Sequence, residues 1–351
     1  MIGGALTYGY SNARIRSLAA KLLEEDAVEM LIRADSVESA LSILADSTYS
    51  AEFSELSVLH SGAELADHAI SSHFSKVCRK VLNMTPVRSK AVIEAVLARW
   101  DIQDLKTILL GKHIGKDKAE IGRLLMRGGS LTAAELEPLL NSQGVVQAVK
   151  YMGDLKYGRA ALQALPEYER SMDITPLLEA LDRSYILHLD DAVRKTDDRL
   201  VKEVLKADID AKNIMTVVRS REDGSMDPDK VRGLLIPAGR LTIQDLESIM
   251  SSKDWPTQLA RVSDMDLSAP IEAYRRDRAI TPIEDALQGG VARLAKRAFR
   301  ISVLSLAALV GFLYVKEYEI RKIQRIIHAK EYGAGEETVR ESVYGGGRDG
   351  L

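Results

Sequence analysis

Chemistry in a chain like this would draw first on its histidines, its paired acids and its one cysteine. Of the six histidines, only His68 and His73 are read as a close pair. Five residues apart on a helix, they point about 140° away from one another, which argues against a shared metal ion. Asp190 with Asp191 and Asp197 with Asp198 are flanked by Arg194, Lys195 and Arg199. Such alternation suits a solvated, ion-paired face better than general acid and base work. The sequence holds no G-x-x-x-x-G-K-[ST] phosphate loop, no G-x-G-x-x-G following a strand and no H-E-x-x-H pair. Cys78 stands alone, so an intrachain disulfide and a cysteine-based metal cluster are excluded. A buried core thiol in a reducing compartment is the expectation. No catalytic residue, no cofactor and no metal is expected.

Charge narrows the partners. Lysine and arginine total 48 against 51 acids, a net charge of -3, which argues against a general polyanion binder and so against nucleic acid. Residues 275–300, with "RRDR" and "RLAKRAFR", hold seven bases against three acids. That run faces an acidic partner or anionic lipid, or is simply a solvated face. A second concentration lies in "YGYSNARIRS", residues 8–17. Thr7 or Ser11 is placed to cap a helix whose stripe is Ile15, Leu18 and Leu22. Arg14 and Arg16 would then stand near its start and oppose its dipole, at about 0.3–1 kcal/mol each. Something else must offset them.

The elements that position these residues read as helices throughout. Apolar residues recur at three and four rather than two, aromatics are 5%, and no alternating strand stands out. Helices are predicted over roughly 12–25, 36–46, 63–82, 87–98 and 101–113, continuing to about 343. With 351 residues, 46% of them apolar, the chain has material for two or three globular domains. "MIGGALTYGY" lacks the features of a secretory leader. "ISVLSLAALVGFLYV", residues 301–315, would span about 22 Å as a helix against a hydrocarbon core of about 30 Å, so a helix buried on all sides is predicted. The tail "GGGRDGL" is expected to be disordered.

Self-similarity carries the most information. "DIQDLKTILLGKHIG" (101–115), "DAKNIMTVVRSREDG" (210–224) and "EIRKIQRIIHAKEYG" (319–333) start 109 residues apart both times. Each opens with an acid (Asp101, Asp210, Glu319) and carries aliphatics four, seven and eight residues on. Each then has a base (Lys112, Arg221, Lys330) and a glycine (Gly115, Gly224, Gly333). The pattern predicts a helix with an acid in its first turn, a buried stripe, a base in its last turn and a left-handed glycine cap. "IGRLLMRGGSLTAAEL" (121–136) and "VRGLLIPAGRLTIQDL" (231–246) continue the match with six identities. Thr132 with Glu135, and Thr242 with Asp245, form capping boxes there. In the third copy "EETVRESV" begins the next helix before the chain ends. A period this long exceeds that of solenoid repeats, so three domains are expected. They stand either around a pseudo-threefold axis or in an irregular row.

"YGYSNARIRSLAAKLL" with "RWDIQDLKTILLGKHIG" (99–115) and "FLYVKEYEIRKIQRIIHAKEYG" (312–333) resembles the C subunit of archaeal-type rotary ATP synthases, whose family includes the d subunit of eukaryotic vacuolar ATPases. The resemblance spans almost the whole chain and implies an all-α funnel of three similar domains around a pseudo-threefold axis. It implies a non-catalytic, rotating central-stalk subunit at the cytoplasmic face of the cell membrane. Its partners would be the proteolipid ring of the membrane sector and the central shaft subunits, with membrane association through those proteins and no homo-oligomer. The domains drawn from it are 1–20 with 297–351, then 21–170, then 171–296. Tyr8, Tyr10, Arg14 and Arg16 match the family's opening motif and are candidate partner contacts that line or brace the first domain and meet acids of a neighbouring domain or subunit, the alternative being that the arginines lie further inside a helix started by Thr7 and form ordinary ion pairs. Asp101, Lys112, Asp210, Arg221, Glu319 and Lys330 join them if they face the axis, and otherwise complement helix ends. A helical adaptor binding a helical partner away from membranes is the rival reading.

Overall fold

The computed structural model describes residues 2–224 and 227–344, and the predicted tail at 345–351 lies outside them. The described residues form helices and no strand. They divide into two compact units, Ser71–Lys195 and Met1–Ile70 with Thr196–Leu351.

Element order repeats. The first run is α6 (Val87–His113), α7 (Lys118–Arg123), α8 (Ala133–Asn141), α9 (Val145–Met152), α10 (Gly158–Ser171) and α11 (Thr175–Lys195). The second is α12 (Arg199–Asp223), α13 (Pro228–Leu234), α14 (Ile243–Ser251), α15 (Trp255–Val262), α16 (Ser268–Asp277) and α17 (Thr281–Ile301). A third run starts with α18 (Leu306–Glu331) and α19 (Glu336–Tyr344). It resumes at the other end of the chain with α2 (Glu25–Arg33), α3 (Val37–Ala45), α4 (Ser50–Leu56) and α5 (Gly62–Met84). The third helix is nine residues long in every run. Among the helices of the described residues, only α1 (Ile2–Ala19) has no counterpart.

The sequence placed some helix starts wrongly. The predicted helices 87–98 and 101–113 are one, because Ala98-Arg99-Trp100-Asp101 contains no residue that breaks a helix. Asp101, Asp210 and Glu319 therefore stand in mid-helix rather than in a first turn. The bases do stand in last turns, and Gly115, Gly224 and Gly333 take the positive φ of 77°, 64° and 72° expected after a helix. Neither Thr7 nor Ser11 caps α1, which begins at Ile2, so Arg16 lies in its last turn, where the dipole favours a cation. Both predicted capping boxes, at Thr132 and Thr242, are present.

The repeated aliphatics are core. Leu105, Ile108 and Leu109 are buried, as are Ile214, Val217 and Val218 and then Ile323, Ile326 and Ile327. Fully burying each contributes about 1.5–3 kcal/mol. Cys78 is buried too. The apolar segment near 301–315 is split by a turn after Ile301. Ser305 caps α18, whose residues 306–314 are buried all round, while Ile301 and Val303 are exposed. Among the described residues no helix is long and apolar enough to cross a membrane.

Candidate functional site

Each acid of the repeat serves the start of a different helix from its own. In the first copy Asp101 Oδ2 accepts from the Ser130 backbone N–H (2.9 Å) and hydroxyl (2.8 Å), and Oδ1 from the Leu131 N–H (2.9 Å). These groups immediately precede Thr132, the N-cap of α8. In the second, Asp210 Oδ1 accepts from the N–H groups of Arg240 (2.9 Å) and Leu241 (3.0 Å), just before Thr242 and α14. In the third, Glu319 Oε2 accepts from the Leu23 N–H (2.8 Å), just before Glu24 and α2. Asp104 adds two bonds in the first copy, from Met126 and Arg127 N–H at 2.8 Å each. Asn213 replaces it in the second and both accepts from and donates to the Ile236 backbone, at 2.9 Å each way.

The bases hold the other end of the same short helices. Lys112 Nζ donates to the carbonyls of Leu140 (2.7 Å) and Ser142 (2.6 Å) at the end of α8. Arg221 donates to Ser252 O (3.0 Å) at the end of α14. Lys330 donates to Ile32 O (2.8 Å) and to Ala34 O at the end of α2. Acid and base stand eleven residues apart, about 16 Å along a helix axis, which matches a nine-residue helix with its caps. The short helix therefore lies parallel to the long one, with a carboxylate at its positive end and a cation at its negative end. We call this arrangement a clamp.

The clamp explains the glycines that recur. A Cβ on Gly129 would lie 1.8 Å from Asp101 Oδ1, and one on Gly239 would lie 2.3 Å from Asp210 Oδ1. In the third copy the acid is a glutamate, one methylene longer, and Lys21 takes the glycine's place. Burial raises the pKa of Asp101 and Asp210 and pushes Asp104 up to about 7, against the backbone N–H groups that favour its charge. Burial also lowers Lys112 and Lys330.

Tyr49 and Lys316, which no local pattern in the sequence marks, complete the third clamp. Glu319 Oε1 accepts from Tyr49 OH (2.6 Å) and Lys316 Nζ (2.6 Å), and Lys316 also lies 4.5 Å from the centre of the Tyr49 ring. All three side chains are buried, and burial followed by the Glu319 charge raises the Tyr49 hydroxyl well above its usual pKa. The signal in sequence is faint, since nothing links position 49 to 316 except the fold.

The opening motif divides. Arg16 donates to the carbonyls of Phe299 (2.8 Å) and Ser302 (2.7 Å) at the end of α17 and stacks 4.2 Å from the Phe299 ring. Asn12 Nδ2 donates to Ser305 O (3.2 Å). Tyr8 is buried. Tyr10 is 68% exposed and Arg14 is exposed beside it, its guanidinium 5.9 Å from the Tyr10 ring. With Ile301, Val303 and Leu304 exposed at the turn that Arg16 braces, this corner of the unit is apolar and basic. The acid pairs are ordinary: Asp190 meets Arg194 at 2.8 Å, Asp191 meets Lys195 at 2.7 Å, and Asp198 caps α12.

Comparison with known proteins gives the chain a context. The family model for the ATP synthase (C/AC39) subunit matches residues 11–342. The A-type ATP synthase C subunit of Thermoplasma acidophilum is 24% identical over 339 residues, covering 93% of this chain and 95% of that protein. Its Haloferax volcanii counterpart is 25% identical, over 94% of this chain and 95% of its own. That of Methanosarcina mazei is 23% identical, over 97% and 93%.

Proposed function

The chain belongs to the ATP synthase (C/AC39) subunit family, and from that premise we propose that it is the non-catalytic central-stalk component of a rotary ATP synthase, coupling the membrane proteolipid ring to the shaft. In this reading three like modules stand around a pseudo-threefold axis as a funnel, whose mouth takes the end of the shaft and whose other face sits on the ring. The protein is peripheral, at the cytoplasmic face of the membrane, and reaches the membrane through its protein partners.

The threefold recurrence of the clamp is the observation that carries this reading. A coupler under torque needs parts that hold their shape, and here the buried acids and the bases of the repeat are spent on holding helices together. We extend the third module beyond residue 20 on the N-terminal side, because α2 and α3 pack on α18 and α2 on α19. Tyr10, Arg14, Ile301 and Val303 are the residues we assign to a partner. The six clamp residues act by rigidity.

The test is cross-linking in native membranes. A cysteine placed at Val303 or Tyr10, in a chain whose own Cys78 is buried, should form a cross-link to a ring or shaft protein identifiable by mass. Cross-links confined to proteins outside the ATP synthase, or full ATP-driven ion pumping after removal of this chain, would overturn the proposal.

A further inference from the structure

His60, Glu64 and His68 come together on one side of α5, and nothing in the clamps or the N-terminal corner uses them. Glu64 and His68 are four residues apart on the helix and share a face. His60 lies in the turn between α4 and α5, held by its N–H to Leu56 O (3.0 Å), with Gly62 at φ 59° turning the chain into α5. His60 Nδ1 stands 3.1 Å from Glu64 Oε1, and His68 Nε2 stands 3.6 Å from the same oxygen. The two rings lie 4.2 Å apart between centroids, and all three ligand atoms fall within 4.8 Å of one another.

We propose that these three side chains form a binding site for one divalent transition-metal ion of the zinc type. Zinc bonds of about 2.0–2.1 Å at tetrahedral angles put neighbouring donors about 3.3–3.4 Å apart. The two contacts to the glutamate oxygen straddle that value. Two imidazoles and one carboxylate are also the donors that such an ion selects over magnesium or calcium, which take oxygen ligands. As it stands, one carboxylate oxygen between two rings satisfies both only if each ring carries its proton on the facing nitrogen. A metal ion would replace both protons with one doubly charged centre.

The surroundings fit a bound cation. The His60 and His68 side chains are 16% and 21% exposed, so their rings are held, whereas Glu64 at 55% leaves the remaining coordination positions open to water. Asp67, next in the chain to His68, adds a negative charge that acts on His68. It is itself fixed by Gln324 Nε2 (3.3 Å) and by His328 Nε2 (3.1 Å) on α18. Outer groups of this kind orient and tune a ligand shell. The ion would tie the turn carrying Val58 and Leu59, 85% and 76% exposed, to the body of α5.

The experiment is calorimetric titration of the full chain, free of any affinity tag, with Zn2+, alongside Co2+ titration followed by visible absorption. One Zn2+ per chain is expected, with tetrahedral-type Co2+ bands, and His60→Ala or His68→Ala should each weaken binding by more than about 10- to 100-fold, the loss that removing only an outer group of a metal site brings. His73→Ala, five residues along the helix from His68, should leave binding unchanged. Circular dichroism of the variants checks that helix content is retained, and Glu64→Gln, close to isosteric, should weaken binding in a chain of unaltered shape. Absence of saturable binding to the wild-type chain, or binding equal in wild type, His60→Ala and His68→Ala, would overturn the assignment.

Discussion

Asp104 shows what one residue does beside a clamp. Its two carboxylate oxygens each take a backbone N–H, yet burial dominates and pushes its pKa up to about 7. An unfolded aspartate titrates near about 3.9. Between those values the folded chain keeps a proton that the unfolded chain releases, so this group lowers stability as pH rises, by up to about 1.4 kcal/mol per pH unit, with the loss complete above pH 7. Asn213 occupies the same place in the second copy and makes its bonds without a charge. Chemical denaturation of Asp104→Asn should therefore show a shallower fall in stability between pH 5 and pH 8 than the wild type. An identical slope would mean that Asp104 is ionised throughout. The sequence made the acid at each repeat start visible but misread its use. Nothing in "ARWD" marks Asp101 as mid-helix, and a carboxylate that caps a neighbouring helix looks like one that caps its own.

Among the elements, α1 answers the question its arginines raise. The sequence predicts a helix beginning near residue 12 with cations at its unfavourable end, but α1 runs from Ile2. Arg16 ends up serving two helix C-termini at once, its own and that of α17, through two charge-assisted bonds to Phe299 O and Ser302 O. Arg16→Met keeps much of the aliphatic stem and removes both bonds. It should cost about 1.5–3 kcal/mol and speed amide exchange in the last turn of α17. Unchanged exchange there would assign the contact no energetic role. The nine-residue helices were only partly legible. α8 and α14 announce themselves through Thr-x-x-Glu and Thr-x-x-Asp, whereas α2 starts after Glu24 with no side-chain cap. It also lies 298 residues in sequence from the lysine that holds it. His60 escaped for a related reason: it sits in a turn, so the helical spacing that separates His68 from His73 says nothing about it.

For the whole molecule, the consequence is that segments from the two ends of the chain pack together within one compact unit. Glu319 reaches Leu23, Lys330 reaches Ile32 and Ala34, and on the same unit Arg340 pairs with Glu29 and Tyr344 Oη donates to Glu25. All-helical architecture and the triplication were readable from periodicity, because burial demands a three-and-four pattern and the clamp demands fixed residue types. The contacts that α2, beyond residue 20, makes with the third copy were not, since no local spacing connects Glu24 with Glu319. Three equivalent clamps hold three nine-residue helices. Hydrogen–deuterium exchange read by mass spectrometry tests it on Lys112→Met, Arg221→Met and Lys330→Met. Each substitution should deprotect its own short helix, α8, α14 or α2 respectively, and leave the other two as they are. If Lys330→Met left α2 protected, or if any one substitution loosened all three helices together, the clamps would not be the separate and equivalent devices described here.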